Sequence, residues 1–104
     1  MEGKLIQKKI IYEIQKRRNE IQKKFGVKKL YLFGSYARGE ENEISDIDIL
    51  VEFERRSPKN DFKLLKLGLF LEKYFKKEVD IGEKKDIKKE YLNSIVNNNL
   101  ATIL

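Results

Sequence analysis

Leu5, Ile6, Ile10, Ile11, Ile14, Ile21 and Phe25 recur at steps of three, four and seven, and lysines and arginines fill the positions between them. That period predicts an amphipathic helix over roughly residues 4–25, with Gly26 as its stop. The pattern then changes. Val27–Phe33 is a short apolar run that reads as a buried strand, ended by Gly34-Ser35. Tyr36–Gly39 reads as a short helical turn ahead of the polar loop Glu40–Glu43. Ser45–Phe53 predicts a second strand, with Ile47, Ile49 and Val51 on one face and Asp46 and Asp48 on the other. Glu54–Asn60, which contains Ser57-Pro58, is a connection, and Asp61 starts or caps a strongly apolar helix that runs to about Phe75. Gly68 within that helix marks close packing. Glu78–Ile81 predicts a third short strand, with Val79 and Ile81 on one face and Asp80 on the other. Asp86–Val96 predicts a last helix, apolar at Ile87, Tyr91, Leu92, Ile95 and Val96. The closing NNNLATIL has three readings: it tucks onto the body, adds a short strand, or covers a partner.

This order of elements predicts an α/β protein, a small mixed sheet with helices packed against it, and a single domain over residues 1–104. No internal repeat or linker interrupts it. The first twenty residues show no secretory pattern and no apolar run reaches membrane-helix length, so the expectation is a cytoplasmic protein with no membrane partner.

Composition narrows the chemistry. The chain has no cysteine and no histidine. Thiolate chemistry, disulfides and the commonest zinc ligands are therefore excluded, as is the commonest general base near neutral pH. What remains is carboxylates, hydroxyls, lysines, arginines and hard metal ions. Net charge is +6. Its distribution is uneven: residues 1–30 hold ten basic and three acidic groups, whereas residues 40–54 hold seven acidic groups and no basic one. The basic helix face reads first as solvated surface, and without aromatics among the lysines it offers no stacking platform for nucleic acid.

Asp46, Asp48 and Asp80 share an unusual feature: each interrupts the apolar pattern of a predicted strand. A buried, unpaired carboxylate is costly, and one alone is ordinarily an edge or ion-pair position. Three in one small sheet suit a divalent cation, which relieves their mutual repulsion. Magnesium matches, because it takes hard oxygen ligands and is usually held by one or two carboxylates plus substrate phosphates. Gly34 and Ser35 supply a complementary element, a glycine after a strand that lets backbone amides approach phosphate oxygens, followed by a hydroxyl donor. Arg38 stands nearby as the counter-charge for a phosphate or for a local carboxylate. No Walker A loop and no Gly-x-Gly-x-x-Gly fingerprint is present.

The combination GSYARG, then Asp46-Ile47-Asp48, then VDIG resembles the nucleotidyltransferase superfamily related to DNA polymerase beta. More narrowly it resembles the minimal, single-domain MNT proteins, usually encoded beside a helical HEPN protein as toxin–antitoxin pairs. The likeness covers the whole chain. It implies a mixed sheet with helices mainly on one side. Gly34 and Ser35 would hold the β- and γ-phosphates of ATP, with Arg38 beside them. Asp46 and Asp48 would bind two Mg²⁺ ions, and Asp80 would join one of them and help activate the attacking hydroxyl. The implied activity is transfer of AMP from ATP to a tyrosine hydroxyl of a partner HEPN toxin. The alternative is an antitoxin that neutralises by binding alone. The same pattern is compatible with a homo-oligomer. Direct nucleic-acid modification and aminoglycoside modification are disfavoured, since the chain shows neither an RNA module nor an added helical substrate domain.

Overall fold

The computed structural model describes residues 2–34, 46–90 and 100–104. Its elements are α1 (Glu2–Lys16), α2 (Arg18–Phe25), β1 (Val27–Phe33), β2 (Ile47–Phe53), α3 (Asn60–Phe75), β3 (Val79–Glu83), a 3₁₀ turn (Lys84–Asp86) and β4 (Leu100–Thr102). The strands form one mixed sheet in the order β3-β2-β1-β4. β1 pairs antiparallel with β2 and with β4, and β2 pairs parallel with β3. One face of this sheet is apolar. Leu30, Leu32, Ile47, Ile49, Val51 and Ile103 pack into a single cluster with Ile10 and Ile14 of α1, Ile21 and Phe25 of α2, and Leu67 and Leu71 of α3. The helices therefore cover one face, as the alternation of apolar positions requires. Each fully buried aliphatic side chain in that layer contributes about 1.5–3 kcal/mol.

The predicted helix over residues 4–25 is two helices. Arg17 separates them with φ −103° and ψ 17°, and its N–H donates to Ile14 O at 2.9 Å, a tightened turn rather than a continued α-ladder. The break is held against α3. The Arg17 guanidinium lies 4.1 Å from the centre of the Tyr74 ring, and the Tyr74 hydroxyl donates to Glu13. The apolar period continues through the break, so Ile14 and Ile21 both reach the core.

Several boundaries move for local reasons. β2 starts at Ile47 rather than Ser45, which lies outside the described residues. α3 starts at Asn60 rather than Asp61: the Asn60 N–H donates to Ser57 O at 3.0 Å and its side-chain amide to Arg55 O at 2.9 Å. β3 extends to Glu83, and Asp86 closes a 3₁₀ turn instead of opening the last helix. Ile87 and Lys88 are not helical, Lys89 and Glu90 are, and residues 91–96 of the predicted Asp86–Val96 helix lie outside the described residues. Of the three readings of the C-terminus, the added strand is the one observed, with Ile103 buried beneath it. Gly68 permits the close contact of α3 with the sheet, since a Cβ there would lie 3.1 Å from Ile81 Cγ2. No helix among the described residues is long and apolar enough to cross a membrane.

Candidate active site

The second face of the sheet carries the polar chemistry. Strand register arranges it in rows. Phe33 of β1 lies opposite Asp48 of β2, which lies opposite Asp80 of β3. Tyr31, Leu50 and Gly82 form the next row. Glu52 and Lys84 follow at the far end, tied by a hydrogen bond of 2.9 Å. Paired residues on neighbouring strands have backbones about 4.8 Å apart. Asp48 and Asp80 are thus side-by-side carboxylates on one face, although a helix separates them in the chain.

Gly34 completes this row. Its φ is +73°, so β1 leaves the sheet through a left-handed turn that favours glycine. A Cβ at Gly34 would collide with Oδ2 of Asp48 and lie 3.3 Å from its Cγ. The glycine therefore has a steric function as well as a conformational one: it lets the backbone after β1 lie directly against the Asp48 carboxylate. Asp48 is half-buried, whereas Asp46 and Asp80 are exposed. Asp46 immediately precedes β2, and the Ile47 N–H donates to Glu78 O at 3.0 Å, so the ladder with β3 opens just after it. Ser35 and Arg38 lie outside the described residues.

The donor set suits a hard divalent cation. Two adjacent carboxylates open to one side fit magnesium's habit of sharing its coordination sphere between protein carboxylates and substrate phosphates. Among the described residues no three acidic, histidine or cysteine side chains converge closely enough to form a cage on their own. Asp46, exposed and immediately ahead of β2, is the third carboxylate at this end of the sheet.

The opposite end of the same face behaves differently. Glu52 Oε1 accepts from both the Tyr31 hydroxyl and Lys84 Nζ, each at 2.9 Å. The Lys84 ammonium also sits 4.7 Å from the Tyr31 ring centre. The hydrogen bond from Lys84 holds the Glu52 carboxyl below the usual carboxylate range. Burial, then the hydrogen bond to Glu52, pushes the Tyr31 phenol up, and the hydrogen bond to Glu52 raises Lys84. On the core face, Lys85 Nζ lies 3.2 Å from Oε2 of the buried Glu83. Lys84 and Lys85 are both engaged by carboxylates of the sheet, Lys84 half-buried and Lys85 at the surface. A cleft of about 380 Å³ lies at this end, lined by Lys28, Glu52, Arg55, Arg56, Asn60 and Glu83 among others. It includes none of Gly34, Asp48 and Asp80. Positions 52 and 84 continue the alternations that begin at 48 and 80. That link becomes legible only once the β2–β3 register is known.

Similarity to known proteins agrees with this architecture. A Methanocaldococcus jannaschii protein, provisionally named a protein adenylyltransferase, is 42% identical over 94 residues, covering 89% of this chain and 94% of its own length. Protein adenylyltransferase MntA of Thermococcus cleftensis is 39% identical over 71 residues, 68% of this chain and 70% of that protein. The solved structure of the tri-AMPylated Shewanella oneidensis HEPN toxin in complex with MNT antitoxin superposes with a TM-score of 0.62 at 17% identity, over 90% of this chain and 71% of the other. The family model for the nucleotidyltransferase domain matches residues 8–101, a span that holds β1, the Gly34 turn, the Asp48–Asp80 pair, α2, α3 and the C-terminal part of α1. The chain belongs to the nucleotidyltransferase domain family and, within it, resembles the MNT antitoxins of HEPN/MNT toxin–antitoxin pairs.

Proposed function

We propose that the protein is a magnesium-dependent adenylyltransferase that moves AMP from ATP onto a tyrosine hydroxyl of a cognate HEPN toxin, and so acts as its antitoxin. The observation that carries this reading is the in-register Asp48–Asp80 pair with the Gly34 turn lying against Asp48. Gly34 and Ser35 receive the β- and γ-phosphates, and Arg38 supplies positive charge beside them. Asp46, Asp48 and Asp80 provide the oxygen ligands for two Mg²⁺ ions. When bound, the metal supplies charge neutralisation at the phosphates and lowers the proton affinity of the attacking hydroxyl.

The reaction then balances simply. The tyrosine oxygen forms a bond to the α-phosphorus of ATP. The bond from that phosphorus to the bridging oxygen breaks, and pyrophosphate leaves on the Gly34 side. The phenol proton passes to Asp80 and on to water. No histidine is required.

The test uses the purified protein, isotopically labelled ATP, magnesium and its cognate HEPN toxin, read by intact-mass and peptide mass spectrometry. The expected result is an adenylate increment on a toxin tyrosine that disappears with the Asp46→Asn/Asp48→Asn double variant. A tight complex without any adduct would defeat the reading.

That second outcome corresponds to an antitoxin that works by contact alone. One surface feature favours such contact: Phe62, Leu65 and Leu69 form a stripe on the outer face of α3, each more than half exposed at 60%, 59% and 56%. At the C-terminus, β4 is paired with β1 and Ile103 is buried. Protection of cells by the double variant distinguishes the two, because contact survives loss of the carboxylates and transfer does not.

A further inference from the structure

Gly82 lacks the structural reasons that account for glycine at three other described positions. Gly26 and Gly34 have positive φ, and Gly68 is pressed against Ile81. Gly82 has no positive φ, and no heavy atom of the described residues lies within 4 Å of where its Cβ would be. It is half-buried and sits inside β3, opposite Leu50 of β2. Glycine inside a strand forfeits up to about 1 kcal/mol relative to a β-branched residue and leaves nothing to pack. Glycine in a strand interior that neither backbone conformation nor crowding by the described residues requires is a mark of close approach by a ligand or another backbone.

Its position says which molecule. Gly82 follows Asp80 by two residues on the same face, about 6.6 Å along the strand. That span is comparable with the reach of a phenol side chain. β3 is the outer strand of the order β3-β2-β1-β4, so Gly82 and the phosphate-side Gly34 flank Asp48 from opposite sides. In-line displacement demands the same opposition, with the nucleophile entering on one side of the phosphorus and pyrophosphate leaving on the other.

We propose that Gly82 is the floor of the acceptor subsite: the ring of the tyrosine to be modified lies across its bare backbone and delivers the hydroxyl to Asp80. This rests on the adenylyl-transfer reading above and makes Gly82 a specificity-determining position of the same site. A side chain there would stand where the acceptor ring must lie, while leaving the nucleotide side untouched.

The test is a graded series, Gly82→Ala and Gly82→Val, with three readouts. These are affinity for a non-hydrolysable ATP analogue with magnesium by calorimetry, kcat/KM for the cognate toxin, and thermal midpoint. Gly82→Val is expected to lower kcat/KM for the toxin at least about tenfold, a barrier increase of roughly 1.4 kcal/mol, and Gly82→Ala to fall between. Analogue affinity is expected to stay within about twofold and the thermal midpoint to hold or rise, since valine suits a strand. Should Gly82→Val fail to fold, Gly82→Ala carries the test, because no heavy atom of the described residues lies within 4 Å of its single methyl. Undiminished transfer by the variants overturns the subsite. So does a loss of analogue affinity that matches the loss of transfer, which would put the nucleotide over Gly82. Absence of transfer by the unsubstituted protein defeats the adenylyl-transfer reading, and the subsite with it.

Discussion

The two ends of the polar sheet face carry the same kind of side chain in different surroundings. At the far end, Glu52 receives a tyrosine hydroxyl and a lysine ammonium on one oxygen. At the near end, Asp48 lies beside Asp80 and against a glycine backbone, and Asp80 is exposed with no ion pair among the described residues. A carboxylate given a cation partner by its own chain is satisfied by folding. Neighbouring carboxylates repel, and a cation from solution relieves that repulsion. The lesson is that an acidic residue on a strand carries little information by itself; what faces it decides whether it supports the fold or the chemistry.

Substitutions at each end sharpen this contrast. The largest effect is expected for Asp48→Asn, which keeps shape and removes charge. Transfer to the toxin should fall by on the order of 10³-fold, as for loss of several kcal/mol of transition-state stabilisation. The thermal midpoint should stay within a few degrees, and a large drop in stability would instead make Asp48 a folding residue. Gly34→Ala should come next. It forces an L-residue into left-handed backbone at a cost of about 1–2 kcal/mol. Its methyl also displaces the Asp48 carboxylate, so transfer should fall by roughly 10–100-fold, an added barrier of about 1.4–2.7 kcal/mol. Chemical denaturation and steady-state rates measured on one preparation separate the two effects.

At the far end the expected order reverses, with a stability effect and no catalytic one. Lys84→Met removes the cation from Glu52 and should cost about 0.5–1 kcal/mol, with transfer unchanged. A loss of activity comparable to that of Asp48→Asn would mean that the two ends are not functionally separate. The smallest effect is a pH dependence. The folded-state pKa of Glu52 is depressed by Lys84, so its contribution to stability is present above the ordinary glutamate value of about 4.3 and is lost as pH falls below it. The thermal midpoint of the unsubstituted protein should therefore decline more steeply on acidification below about pH 4 than that of Glu52→Gln. Parallel curves would show that the pair contributes nothing.

Much of the fold was legible as pattern. Val27–Phe33 is a strand at the predicted bounds, and Ile47, Ile49 and Val51 face the core as their alternation requires. What pattern reading missed has identifiable causes. The apolar period runs unbroken through Arg17, because both helices present the same face to one core, so periodicity could not reveal the break that the Tyr74 ring and the tightened turn at Ile14 stabilise. Nothing along the chain ties Lys84 to Glu52, because the two meet through the β2–β3 pairing and a turn that no apolar period marks.

By itself the sequence determined what depends on neighbours in the chain. Alternation along each strand puts Asp48 and Asp80 off the core face, and a glycine after β1 admits a left-handed turn. The absence of histidine and cysteine confines the chemistry to oxygen ligands and cationic side chains. Only the tertiary structure decided what those residues meet. The parallel pairing of β2 with β3 sets Asp48 opposite Asp80 and Leu50 opposite Gly82, and the exit of β1 brings Gly34 onto the Asp48 carboxylate. The physical reason is that register belongs to hydrogen bonds between strands far apart in the chain. A slip of one residue would turn every side chain of β3 over, carrying Asp80 to the apolar layer and Ile81 to the site; alternation makes that costly only once a core exists to receive Ile81. That core receives Ile81 against Gly68.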